Sequence, residues 1–104
     1  MKENNFNAIR CAHYTNHPAF YEIASELGLY VMDEADLETH GAFMQQFPPN
    51  FNTISHDPKW EPQYIDRAQR LYGRDKNCTS IILWSLGNES GGYKCQDVCY
   101  SFLK

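Results

Sequence analysis

One glutamate, Glu89, lies in a polar segment that directly follows the most apolar run of the sequence. The segment reads Gly87-Asn88-Glu89-Ser90-Gly91-Gly92. A carboxyl group placed there can donate a proton to a substrate, and the glycines allow the substrate to approach the backbone closely. Asn88 adds an amide that can hydrogen-bond a hydroxyl group. A solvated loop glutamate is the simpler interpretation, because most glutamates are exposed.

A second pair of polar residues, Glu38 and His40, stands one residue apart. Both side chains could converge on one cation, with Glu89 as a third ligand. Two carboxylates and an imidazole suit a hard cation such as Mg²⁺, and they also suit Zn²⁺ or Mn²⁺. Two exposed polar residues without any ligand are the alternative interpretation of this pair.

Two further groups of polar residues are candidates for the same site. Arg10 could orient a carboxylate, and His13 could donate to a sugar hydroxyl, although each could equally be structural. Asp33 and Glu34 follow an apolar run and point to opposite sides, so at most one of them should face a central site. We expect the other to pair with an arginine or to cap the loop.

The segments that must position these residues alternate between strands and helices. Their composition and periodicity predict strands at 7–11, 29–32 and 80–86, and helices from Pro18 to Gly28, from about Trp60 to Gly73, and near Val98 to Leu103. The second apolar run is typical of a strand buried on both faces. Residues 41–58 show no clean period and are predicted to form a long loop.

This alternation predicts an α/β fold with a parallel sheet, in which the polar clusters gather at the carboxyl ends of the strands. A doubly wound sheet would normally open its first helix with a glycine-rich phosphate turn, and none is present. A barrel is therefore favoured. Because a complete (β/α)8 TIM barrel needs eight units and ~250 residues, the chain supplies a partial barrel of about three βα units.

Composition excludes several other classes. The chain has 104 residues, 42% of them hydrophobic, and a formal charge of −4. No basic run could follow a nucleic-acid backbone, no apolar run is long enough to span a membrane, and the first residues do not resemble a signal peptide. We therefore expect no nucleic-acid or membrane partner and a cytoplasmic protein.

The four cysteines are expected to be reduced thiols. Cys11, Cys78, Cys95 and Cys99 lack the spacing of zinc ribbons and the density of a disulfide scaffold. Cys95 and Cys99 could share a helix face, where two half-buried small residues are the expected outcome. A cysteine-based zinc module that uses this pair is the alternative hypothesis.

Taken together and in order, these segments resemble a known family. They are Asn4-Asn5-Phe6-Asn7-Ala8-Ile9-Arg10 with His13-Tyr14, then Asp33-Glu34-Ala35, Glu38-Thr39-His40-Gly41 and Ile82-Leu83-Trp84-Ser85-Leu86-Gly87-Asn88-Glu89-Ser90. The whole chain, residues 1–104, resembles a fragment of the catalytic TIM-barrel domain of glycoside hydrolase family 2 β-galactosidases. The run after Trp84-Ser85 favours the galactosidase branch over related β-glucuronidases and β-mannosidases.

The resemblance implies a role for each candidate residue. Glu89 would be the general acid/base of a retaining hydrolase acting on β-galactosides such as lactose, and Glu38, His40 and Glu89 would hold Mg²⁺. His13 would stabilise the transition state through the sugar hydroxyls, and Asn88 would face the 2-hydroxyl. Arg10 would orient catalytic carboxylates without touching the sugar. The full-length enzyme is expected to be a homo-oligomer.

The resemblance also has gaps. Thr15 stands where the family usually has proline, and Cys78-Thr79 replaces His-Pro. The family's nucleophile, a second glutamate, has no counterpart in these 104 residues, so the chain is expected to need the remainder of the barrel and its flanking β domains. The alternative is an inactive relic that keeps only metal or sugar binding.

Overall fold

The computed structural model describes residues 1–50, 52–92 and 94–104. Three strands alternate with helices, as the sequence predicts. The elements are β1 (Ala8–Arg10), α1 (Pro18–Glu26), β2 (Tyr30–Glu34), α2 (His40–Met44), α3 (Glu61–Asp75), β3 (Ile81–Ser85) and α4 (Lys94–Leu103), with short 3-10 turns at Lys2–Asn4 and Pro58–Trp60.

The strands form one parallel sheet in the order β1-β2-β3. Ile9 pairs with Val31 in β2, and Glu34 at the end of β2 pairs with Ser85 at the end of β3. The carboxyl ends of the strands therefore meet at one edge, which confirms the partial α/β barrel expected from the sequence.

Helix α1 begins and ends as its sequence predicts. Pro18 occupies the first turn, where its missing N–H costs nothing, and the His17 ring accepts a hydrogen bond from the Ala19 N–H at 3.2 Å. The chain leaves the helix through Gly28, whose φ of +64° favours glycine. This boundary fixes where the chain turns back into β2.

Helix α3 covers the same side of the sheet. Its buried stripe of Tyr64, Ala68 and Leu71 packs against Ala35 and Leu37 after β2, and the cluster also includes Cys95 and Cys99 of α4. The helix runs two residues beyond Gly73, its predicted end, because a single glycine weakens a helix without ending it. The two cysteines are fully buried, so the half-buried prediction is corrected.

Two other sequence predictions are corrected. The predicted loop 41–58 begins within α2, where Phe43 is buried against the core, and Phe51 of that segment lies outside the described residues. Strand β2 continues through Asp33 and Glu34, which were expected to follow it. Asp33 and Glu34 have hydrogen-bond partners on opposite faces of the sheet, so both carboxylates can remain within the strand.

One face of the sheet is covered by helices and the other is open. Tyr30 and Leu83 on the open face are exposed, so the prediction of a strand buried on both faces is wrong for the described residues. The reason is that the helices pack on one side only. None of the helices in the described ranges has the length and apolar character needed to span a membrane.

Candidate active site and metal centre

The segments after β2 and β3 lie side by side at the carboxyl edge of the sheet. The Asn88 N–H donates to the Leu37 carbonyl at 2.9 Å, and Glu38 and Asn88 form an isolated parallel bridge. Gly87 makes this approach possible: its φ is +124°, and a Cβ at this position would lie 2.5 Å from the Leu37 oxygen. Glycine is therefore required for the two segments to meet.

This approach brings together the three residues predicted to hold a cation. Ligand atoms of Glu38, His40 and Glu89 all lie within 4.8 Å of one another. The His40 Nδ1 contacts Glu89 Oε2, and the His40 backbone N–H donates to Glu38 Oε1 at 3.0 Å. The side chains of His40 and Glu89 are 44% and 55% exposed, so solvent and small ions reach the cluster.

The donor set fits a divalent cation. Opposite ligands of one Mg²⁺ ion are separated by about 4.2 Å, so small side-chain rotations would suffice to place all three donors around it. Two carboxylates at this distance repel each other in the absence of positive charge. The three donors converge as the sequence predicts, and this donor set would suit Mg²⁺ and equally other divalent ions that accept oxygen and imidazole ligands.

The backbone of Glu89 is held in an uncommon conformation. Its φ is +37°, a left-handed value that costs a non-glycine residue about 1–2 kcal/mol. The next residue is fixed from two sides: the Tyr64 hydroxyl donates to the Ser90 carbonyl at 2.8 Å, and Gln96 Nε2 donates to the Ser90 hydroxyl at 2.5 Å. Contacts from α3 and α4 therefore stabilise the geometry that aims the Glu89 carboxylate at His40.

A fully buried carboxylate, Glu34, lies behind this cluster. It accepts hydrogen bonds from Arg10 Nε at 2.6 Å, from Arg10 Nη2 at 2.9 Å and from the Ser85 hydroxyl at 2.7 Å, and His13 Nδ1 lies 3.5 Å away. Burial raises the pKa of Glu34, but the hydrogen bonds from Arg10 and Ser85 outweigh burial and hold that pKa below its usual value. Glu34 is therefore ionised in the folded chain.

Arg10 connects Glu34 to the exposed cluster. Its Nη2 also donates to Asn88 Oδ1 at 3.0 Å, and Asn88 Nδ2 donates to Glu38 Oε2 at 2.7 Å. Residues from all three strand ends thus form one continuous hydrogen-bonded network. Such a network can hold a carboxylate, an amide and a cation in fixed relative positions.

Comparison with known proteins shows the family to which the chain belongs. A profile of "Glycosyl hydrolases family 2, TIM barrel domain" matches residues 1–104. A β-galactosidase of Pectobacterium atrosepticum is 50% identical over 104 residues, which is 100% of this chain and 9% of the relative. The chain belongs to glycoside hydrolase family 2.

Solved structures agree with the family 2 barrel. The crystal structure of Ruminococcus gnavus β-glucuronidase is 27% identical with a TM-score of 0.71, covering 98% of this chain and 16% of that chain. The same enzyme in complex with C6-substituted uronic isofagomine gives 27% identity and a TM-score of 0.69, with the same two coverages. The chain therefore spans about a tenth to a sixth of these family 2 relatives.

The cluster at the carboxyl edge of the sheet contains most of the residues singled out from the sequence. Arg10, Glu38, His40, Asn88 and Glu89 share one network, and His13 lies at its edge with an exposed ring. In the parts of the chain that the structure describes, Glu38, His40 and Glu89 form a group of potential metal ligands, and Cys95 and Cys99 belong to no such group.

The sequence left open which of Asp33 and Glu34 faces the site, and it gave no indication that Ser85 donates to Glu34. As expected, only one of the two adjacent carboxylates faces the site, and it is Glu34. The expectation that the other would pair with an arginine or cap the loop is wrong, because Asp33 accepts a hydrogen bond from the Tyr21 hydroxyl at 2.6 Å on the helix side. Arg10 pairs with Met32 in β2, and alternation along β2 places Glu34 on the same face as Met32. The alternation could be predicted from the sequence, whereas the register between the strands could not.

Proposed function

We propose that this chain forms the acid/base and cation-binding part of a retaining β-galactosidase that removes terminal non-reducing β-D-galactose from β-galactosides such as lactose. The observation that carries the proposal is the position of Glu89. Its carboxylate projects from a constrained backbone at the carboxyl edge of the sheet, next to His40 and Glu38. Active sites of barrel enzymes lie at this edge.

In this proposal Glu89 acts twice. It first donates its proton to the glycosidic oxygen as the bond to the anomeric carbon breaks, and a second carboxylate attacks that carbon from the opposite face. Glu89 then removes a proton from water, which attacks the same carbon and releases the sugar. The second carboxylate must lie about 5 Å away and would come from another part of the barrel.

Glu38, His40 and Glu89 are proposed to hold Mg²⁺. When bound, the ion supplies positive charge beside the acid/base carboxylate. The His40 ring and the Glu38 carboxylate approach Glu89 from the neighbouring segment and limit the directions in which its carboxylate can point. This restriction favours one orientation toward the glycosidic oxygen.

The substrate is proposed to contact the residues around Glu89. Asn88, directly before the acid/base, would face the 2-hydroxyl, and the exposed ring of His13 would donate to sugar hydroxyls in the transition state. Arg10 would orient these residues without contacting the sugar, through its hydrogen bonds to Glu34 and Asn88. A galactoside is favoured over a glucuronide because identity to the β-galactosidase is 50%, against 27% to the β-glucuronidase.

The test is hydrolysis of chromogenic substrates by the purified chain with Mg²⁺. The chain is assayed alone and together with the Pectobacterium β-galactosidase from which the matching segment has been removed. We expect hydrolysis of a β-galactoside only in the mixture, little hydrolysis of a β-glucuronide, and loss of Mg²⁺ dependence when Glu38 is changed to Gln.

The matched pair of variants is Glu89→Gln and Glu26→Gln. Loss of a general acid/base lowers the rate by about 10²–10⁴-fold, so Glu89→Gln should be nearly inactive in the mixture. Glu26 lies in α1 and is exposed, so its variant should match the parent chain. Mg²⁺ binding without turnover in any mixture would instead support an inactive metal-binding or sugar-binding chain, and equal loss in both variants would argue against a role for Glu89.

A further inference from the structure

Glu34 is a buried charge that receives donors from both neighbouring strands. Its carboxylate accepts from Arg10 of β1 and from Ser85 of β3, and its side chain is fully shielded from solvent. A buried carboxylate is costly unless it is paired and hydrogen-bonded, and a bidentate guanidinium satisfies it with a defined geometry. The pairing therefore neutralises the buried charge of Glu34, and it also fixes the direction of the Arg10 guanidinium.

The fixed guanidinium determines how the Asn88 amide points. Arg10 Nη2 donates to Asn88 Oδ1 at 3.0 Å, so the amide NH₂ group must face the other way, where Glu38 Oε2 accepts from it at 2.7 Å. An amide turned by 180° would place its oxygen against the Glu38 carboxylate and its NH₂ group against Arg10. Both contacts would then be repulsive, because each would join two acceptors or two donors.

Glu38 is the end of this series of contacts. One of its oxygens accepts from Asn88 and the other from the His40 backbone N–H at 3.0 Å, so both oxygens have assigned partners. Its orientation is therefore set on one side by its own loop and on the other by Asn88. A residue that fixes Asn88 also fixes Glu38.

We propose that Glu34 is a positioning residue for the site: by holding Arg10, it sets the orientation of the Asn88 amide and, through that amide, of the Glu38 carboxylate. The effect on amide orientation follows from the geometry of the chain itself. The consequence for cation binding rests on the proposed function.

The test combines amide resonances with cation affinity in Glu34→Gln. Glutamine has nearly the same shape, but it offers one acceptor oxygen and places an NH₂ group against the Arg10 donors. We expect the ¹⁵N-resolved side-chain NH₂ resonances of Asn88 to lose the shift caused by hydrogen bonding to Glu38. We also expect Mn²⁺ or Mg²⁺ affinity to fall about tenfold, which is typical when a residue that orients a metal ligand is lost. Asp36→Asn removes an equal charge from a largely exposed side chain and should change neither quantity.

A double-mutant cycle distinguishes positioning from general loosening. Asn88→Ala alone should lower cation affinity, and adding Glu34→Gln to it should cause little further loss, because both changes break the same series of contacts. Equal losses from Glu34→Gln in the two backgrounds would overturn the proposal, and so would unchanged Asn88 resonances in Glu34→Gln.

A milder variant covers the case in which Glu34→Gln does not fold. Arg10→Lys keeps a positive charge beside Glu34 but cannot contact Glu34 at two points and Asn88 at a third. It should abolish the same Asn88 resonance shift, and retention of that shift would refute the positioning role. If the parent chain binds neither cation, the proposed metal site fails, while the Asn88 resonances still decide whether Glu34 positions the amide.

Discussion

The buried carboxyl group of Asp33 is expected to make the stability of the chain fall as the pH rises. Asp33 is fully buried on the helix side of β2, where the Tyr21 hydroxyl donates to its Oδ1 at 2.6 Å. Among the residues that the structure describes, its Oδ2 has no hydrogen-bond partner, and the buried carboxyl group of Asp75 is close enough to affect its ionisation. Burial, followed by the neighbouring Asp75, raises the pKa of Asp33 to about 6, despite the opposing effect of Tyr21.

The direction of this change in stability with pH follows from proton linkage. The folded chain binds the Asp33 proton more tightly than the unfolded chain, in which an aspartate has a pKa of about 3.9. The stabilisation is therefore fully present below about pH 4 and is lost as the pH rises through about 6. A shift of about 2 pH units corresponds to roughly 3 kcal/mol, so this is the upper limit of the loss at neutral pH. A protonated Asp33 can donate to Asp75, whose carboxylate is held by Arg74 at 2.6 Å.

The test is thermal unfolding of Asp33→Asn against the parent chain between about pH 4.5 and pH 8. Asparagine keeps an oxygen for Tyr21, supplies an N–H donor toward Asp75 and cannot ionise. Relative to the parent, the variant should gain stability as the pH rises, by several degrees in Tm, since 1 kcal/mol shifts the Tm of a domain this small by roughly 4–8 °C. Asp36→Asn is the matched control. A difference from the parent that stays constant across this range would refute the reasoning.

Three further outcomes are expected. Gly87→Ala should lower both Tm and cation affinity, because the new Cβ would collide with the Leu37 carbonyl and φ is +124°; binding and melting curves equal to the parent's would contradict this. Tyr64→Phe should cost about 1 kcal/mol in denaturant unfolding, because the Ser90 carbonyl loses its donor. The Cys99 thiol should resist alkylation until the chain unfolds, since burial raises its pKa to about 11; rapid labelling under native conditions would argue against the core as described.

The arrangement of elements could be predicted from the sequence because local signals agree with it. Pro18 and Gly28 mark both ends of α1, and the apolar run before Asn88 marks β3. The convergence of Glu38, His40 and Glu89 could also be expected, because parallel strands bring the segments that follow them to one edge. The composition of these segments and their order along the chain were sufficient to predict these features.

Other features depend on contacts that are distant in sequence. The short helix α2 has only five residues, too few for a periodic signal, and is stabilised by burial of Phe43. The pairing of Arg10 with Glu34 joins residues 24 positions apart, and its contact with Asn88 joins residues 78 apart. No local pattern specifies which donor reaches which acceptor over such distances.

The adjacent carboxylates Asp33 and Glu34 show how the fold assigns different chemistry to similar residues. Both are fully buried in the same strand, so burial acts on each in the same direction. Glu34 faces a guanidinium and a hydroxyl and stays ionised, which gives Arg10 a fixed direction toward the site. Asp33 faces Tyr21 and the carboxyl group of Asp75, which favours its protonated form. Strand alternation therefore separates a charged network at the site from a proton-dependent contact in the helix layer, within two residues of one strand.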